Sequence, residues 1–137
     1  MGARRRAREL ALQLLYQHEL TGASLDEMQA SFEDWKSATP GTRSFAEKLV
    51  TTTLGHLEEI DQELGHQTAH WRLERLAAVD RNILRLAMCE LLFYQDTPYA
   101  VVIDEAIEIA KRFGAEDSSR FVNGVLDGFV RRRIRTA

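Results

Sequence analysis

In every long segment of this chain apolar residues recur at a helical period, and nowhere do they alternate in twos. That pattern leaves no half-buried sheet and predicts an all-α fold. Ala7, Leu10, Ala11, Leu14, Leu15 and His18 share one face of a helix running from about Arg4 to Leu20, which Thr21-Gly22 stops. Ser24 and Glu27 form a capping box that opens a second helix through Met28, Phe32 and Trp35. Thr39-Pro40-Gly41-Thr42 reads as a loop. A long helix follows with Phe45, Leu49, Val50, Leu54, Leu57, Ile60 and Leu64 inward and Gly65 as its stop. Trp71 to Ala77 reads as a short helix. Asp80 is placed to cap the next, which carries Ile83, Leu84, Ala87, Leu91 and Leu92. Pro98 suits the first position of a helix ending at Gly114, and Asp117 or Ser118 caps the last. The expected architecture is one domain over 1–137, a compact bundle of about seven helices in two packed sub-bundles, about 1–77 and 78–137.

Charge is distributed unevenly along this frame. The net charge is -3, yet residues 1–20 hold four arginines (Arg4, Arg5, Arg6 and Arg8) against Glu9 and Glu19. Residues 21–70 hold nine acids and three bases, and the chain turns basic again over Arg131–Arg135. An acidic protein with two basic poles uses them to meet something anionic, and poles that lie together would make one patch. No apolar run reaches the ~20 residues of a membrane helix. A single cysteine, Cys89, excludes an internal disulfide and suits a reducing compartment, here the cytoplasm. An Arg-rich start is also found in mitochondrial transit peptides, but Glu9 and Glu19 argue against one.

Motifs of catalysis are missing: the chain has no Gly-rich phosphate loop, no nucleophile elbow and no His-Glu-x-x-His. Glu63, His66 and His70 share a helix face at metal-ligand spacing, but without a fourth ligand they read as surface residues. His18 reads as a hydrogen-bonded core residue and Cys89 as a small core side chain. The chain is therefore read as a binding protein, not an enzyme, with no cofactor or metal.

Two constellations suit single-stranded nucleic acid. On a helical wheel Arg5, Arg8, Leu12 and Tyr16 fall on one strip, which offers guanidinium forks for phosphates and a ring for stacking. The segment from Phe113 to Gly124 is a helix end, a short loop and a helix start. It carries Arg120, Phe121 and Asn123 beside an N-terminus with free N–H groups. Gly124 is costly inside a helix; close packing is the preferred explanation, an approaching ligand the other. Arg81 and Arg85 are expected to pair with Glu74, Asp80 or Asp104.

These residues also carry a resemblance. Arg4–Glu9 with Ala11–Tyr16, Asp80–Ala87 with Glu90-Leu91, Thr97-Pro98-Tyr99 with Val102–Ala106, Ala110-Lys111, Phe113-Gly114 and Phe121–Asp127 together resemble the NusB family of bacterial transcription antitermination factors. The resemblance implies two small packed bundles and binding to the single-stranded boxA element of nascent RNA. It implies a heterodimer with NusE, a ribosomal small-subunit protein, and action with other Nus factors on RNA polymerase, chiefly in ribosomal RNA operons. Carried over by position, RNA contact falls on Arg4, Arg5, Arg6, Arg8, Tyr16, Phe113, Arg120, Phe121 and Asn123. Asp80, Glu105 and Asp117 are the expected contacts for the protein partner. Family members can also self-associate, so a homodimer is expected as a further state. The family often has Asn where this chain has Asp104. The competing readings are a helical module similar to the one that precedes the catalytic domain of some ribosomal RNA cytosine methyltransferases, and an interaction bundle with no RNA contact.

Overall fold

The computed structural model describes residues 2–68 and 72–135. Eight α-helices follow in order: α1 (Ala3–Thr21), α2 (Leu25–Ser31), α3 (Glu33–Ser37), α4 (Pro40–Gly55), α5 (Leu57–Gln67), α6 (Ala78–Phe93), α7 (Tyr99–Phe113) and α8 (Ser118–Phe129). A single 3-10 turn (Leu73–Arg75) precedes α6, and a π-helical stretch (Val130–Arg135) continues α8. No strand occurs among the described residues, so the fold is all-α as the periodicity requires. No described helix is long and apolar enough to cross a membrane.

Local sequence explains most of the boundaries. The capping box at Ser24 forms as expected, and Gly22 ends α1 in the left-handed conformation at φ 71. Five expectations need correction. The segment read as a loop, Thr39-Pro40-Gly41-Thr42, is a helix start: Thr39 caps α4 and Pro40 to Thr42 form its first turn. The second helix breaks at Phe32, whose extended backbone separates α2 from α3. The long helix breaks at Gly55-His56, and Gly65 lies inside α5 instead of stopping it. Asp80 does not cap α6: the helix begins at Ala78 and places Asp80 in its first turn. Of the segment expected to be helical over 71–77, Trp71 lies outside the described residues and only the 3-10 turn remains.

One helix organises the packing. α6 lies against α1, α4, α5, α7 and α8, and its Leu84, Met88 and Cys89 are fully buried. Burial pushes the Cys89 thiol up to about 11, which makes it an inert core group. α1 and α6 run antiparallel and are tied at both ends. Near the start of α1, Arg8 pairs with Glu90 at 2.8 Å. At its end, Glu19 accepts from Arg81 at 2.7 Å and from Arg85 at 2.9 Å. Arg85 also reaches Asp61 of α5 at 2.8 Å. The expected partners of these two arginines were other acids; Glu19 and Asp61 take them because the antiparallel crossing sets them opposite.

The Arg81 hydrogen bonds hold the Glu19 carboxyl below its ordinary 4.5, against a smaller opposing effect of burial. A carboxyl depressed in the folded state stabilises fully above its unfolded value and loses that contribution as pH falls through the folded one. Acid unfolding followed by circular dichroism is therefore expected to flatten in Glu19→Gln below about pH 4.5, with the two proteins converging at the acid end of the titration.

Candidate nucleic-acid interface

The four leading arginines do not form one open patch. α1 splits them three ways. Arg4 turns to α4, its guanidinium 3.8 Å from the centroid of the Phe45 ring. Arg8 turns inward: its side chain is 7% exposed and donates to both oxygens of Glu90, itself 2% exposed. Burial works against the charge on Arg8, but the Glu90 carboxylate outweighs it and raises the pKa. Arg8 is therefore a structural residue here, contrary to its expected place on an RNA strip. Leu12, expected beside it, is buried too. The wheel set the angle of both correctly but did not show that α6 covers that angle.

Arg5 and Arg6 remain toward solvent. Arg5 donates to Glu105 of α7 at 2.7 Å, which raises its pKa. Glu105, expected to meet a partner protein, is thus already neutralised within the chain. Arg6 lies 3.4 Å from Glu9 and 3.6 Å from Asp34. Glu9 is the hinge of the arrangement. Its carboxylate is 2% exposed and also takes Arg112 of α7, at 2.8 Å. Sequence reasoning missed Arg112; the available signal was a cation beside Phe113 in the last turn of a helix.

Two rungs therefore link α1 to α7: Arg5 to Glu105 and Glu9 to Arg112. Both helices advance in the same direction between the rungs. The second rung reaches the end of α7, where Arg112 stacks over Phe113 with 5.0 Å to the ring centroid. The turn into α8 begins two residues later. Tyr16 lies seven residues beyond Glu9, close to the same line of α1 and roughly 10 Å further along, and is 37% exposed. The leading cations and the start of the final helix thus converge through Glu9.

The turn itself is closely built. The Ala115 N–H donates to Ser118 Oγ at 2.8 Å, and Ser118 is buried. Asp117 occupies the cap position without a side-chain hydrogen bond and stays exposed. A Cβ on Gly114 would stand 2.5 Å from Ser118 Cβ and 2.8 Å from the Ala110 carbonyl oxygen. Gly114→Ala is expected to cost about 1–3 kcal/mol by overpacking, read as a lowered urea midpoint, and to displace α8. Phe121 is half-buried and rests on the core, whereas Arg120 and Asn123 are exposed. A Cβ on Gly124 would meet nothing within 4 Å. Packing therefore does not explain that glycine, contrary to expectation.

The other basic pole goes elsewhere. Arg132 and Arg133 engage Glu63 of α5 at 3.1 and 2.6 Å, and Arg131 pairs with Asp127. Burial raises and the two arginines lower the Glu63 pKa, and the arginines prevail. These tail arginines thus engage Glu63 and Asp127, acids remote from Glu9 and Glu105 in the sequence. Glu63 is taken from the possible metal trio, His70 of that trio lies outside the described residues, and no metal-binding group occurs among the described residues. His18, half-buried, contacts the Ala23 carbonyl oxygen through Nδ1 at 2.9 Å.

Known proteins have a similar sequence and fold. The NusB family model matches residues 5–131. The transcription antitermination protein NusB of Desulfitobacterium hafniense is 50% identical over 93% of this chain and 88% of its own length. Among solved structures, the crystal structure of antitermination factors NusB and NusE in complex with dsRNA contains a chain 32% identical, with TM-score 0.85 over 96% of this chain and 98% of that one. A chain in the crystal structure of a plectonemic RNA supercoil is 31% identical, with TM-score 0.90 over 100% of both.

Proposed function

Since the chain belongs to the NusB family, we propose that it is a transcription antitermination factor: a non-catalytic bacterial cytoplasmic protein that binds the boxA element of nascent RNA together with NusE. In this reading it supports ribosomal RNA transcription with other Nus factors on RNA polymerase. The observation that carries the proposal is the Glu9 bridge between Arg6 and Arg112. It sets the open cations of α1 beside Phe113 and the start of α8, the combination of forks and rings that single-stranded RNA requires.

In this reading Arg5, Arg6, Arg112 and Arg120 meet phosphates, Tyr16, Phe113 and Phe121 meet bases, and Asn123 reads an edge. Arg4 stands at the margin of that surface and Arg8 holds α1 in place behind it. Asp80 and Asp117 remain as acids for a basic protein, with Glu105 contributing less because Arg5 neutralises it. Self-association that covers the same face would keep the free protein from RNA until the partner arrives.

The test is affinity for a boxA oligonucleotide against salt, with and without NusE. Binding is expected to be weak alone and stronger with the partner. Arg120→Ala, at an exposed site, is expected to lower the log–log slope by about 0.7. An unchanged slope on removing Arg120, together with unchanged slopes for Arg5→Ala and Arg4→Ala, would leave a bundle that binds protein only.

A further inference from the structure

A groove of about 1260 Å³ opens on the side of α1 that Arg4 faces. It runs between the first turns of α1, the length of α4 from Thr39 to Thr52, and the α6–α7 loop from Phe93 to Pro98. It is larger than the ~300–1,000 Å³ that small ligands occupy and is open to solvent.

Its lining sets two rings between two cations. The Arg4 guanidinium covers Phe45 at 3.8 Å. Phe45 meets Tyr94 edge-on at 6.3 Å. Lys48 Nζ stands 5.6 Å from the Tyr94 ring centroid, and the Tyr94 hydroxyl lies 3.4 Å from Thr52 Oγ1, which fixes the ring. Arg4 and Lys48 are exposed, and neither is in an ion pair among the described residues. The acids on the lining are Asp96 and Glu105; Glu105 is neutralised by Arg5.

We infer that this groove takes the single-stranded RNA that flanks the segment held on the α1–α8 face; the inference rests on the RNA-binding reading above. Two features select RNA over a peptide. A basic peptide would find one unneutralised carboxylate, Asp96, facing two unpaired cations. Rings flanked by cations fit any base and its phosphate without reading sequence. Continuity gives the path. Glu105 lines the groove, while Arg5, which it holds, belongs to the α1–α7 face. A strand crossing the N-terminal turn of α1 passes from one to the other without leaving the protein surface.

The experiment compares a boxA oligonucleotide with the same RNA extended by about six uridines at either end, bound to the full chain with NusE. Extension at one end is expected to raise affinity at least about fivefold, the lower bound for one stacked base. Lys48→Ala and Phe45→Leu are expected to remove that gain and leave the short RNA unaffected; Phe45→Leu retains apolar volume against the core. The inference is overturned if neither extension adds affinity, or if both variants weaken short and extended RNA alike. It is also overturned if Lys48→Ala weakens NusE binding or self-association without RNA, which would assign the groove to a protein. Failure of the short RNA to bind at all, with NusE present, sinks the RNA reading and this one with it.

Discussion

Glu90→Ala is expected to destabilise the fold by about 3–5 kcal/mol, the cost of leaving a buried charge without its partner. Arg8 and Glu90 meet through two hydrogen bonds of 2.8 Å, with side-chain exposures of 7% and 2%. At 7% exposure the guanidinium has little access to water once the carboxylate is gone. Its neighbours Ile83, Leu86, Val102 and Ala106 offer no acceptor side chain. Glu90→Gln is expected to follow in direction, since a neutral amide leaves the cation unmatched. The double replacement of Arg8 by Met and Glu90 by Leu is expected to recover most of the loss, because it removes both desolvation penalties and fills the space. Urea unfolding of the three variants decides the matter. A loss below about 1 kcal/mol in Glu90→Ala would mean the pair behaves as a solvated surface bridge. For the same reason Arg8 variants should alter RNA binding only in proportion to the fraction unfolded.

The second large effect is on recognition. Phe121→Ala is expected to weaken RNA binding by about 1–3 kcal/mol, roughly 5- to 150-fold, if a base stacks on the ring. Phe121 is half-buried on α8 and touches the core, so the variant also loses packing. Circular dichroism at the binding temperature separates the two. A folded variant with lost affinity places a base on the ring, and a loosened fold with retained affinity makes Phe121 a core residue. Phe121→Leu narrows the choice further, since it restores apolar contact and not the ring face. Tyr16→Ala, at a residue 37% exposed, is the companion variant with little packing to lose.

What the sequence made legible follows from what is local. Helical periodicity and caps are encoded within a few residues, and α1, α7, α8 and the start of α2 lie close to where those signals set them. The split of the long helix at Gly55-His56 was hidden because the apolar period continues across it: Leu49, Val50, Ile60 and Leu64 are all buried. The candidate site was legible as two segments but not as a surface. Whether a cation is open depends on what the rest of the fold sets opposite it. Arg8 meets Glu90, 82 positions away, and Arg112 meets Glu9, 103 positions away. No local pattern holds that information. The glycines show the same division: Gly114 is required by a carbonyl one turn back and a serine one turn on, whereas Gly124 has open space beside it.

The buried Glu9 carboxylate has a consequence for how the surface receives an anion. By holding Arg6 and Arg112 in advance, it removes much of the rotamer freedom those long side chains would otherwise surrender on contact. Each guanidinium has five N–H donors, and those not turned toward Glu9 or, in Arg6, toward Asp34 remain for an incoming phosphate. The resident carboxylate also sets a threshold: a visitor that pulled either arginine away would strand a negative charge out of water. On the RNA-binding reading proposed above, the surface is a stiff mould that favours anions able to fit the guanidinium groups where they already stand.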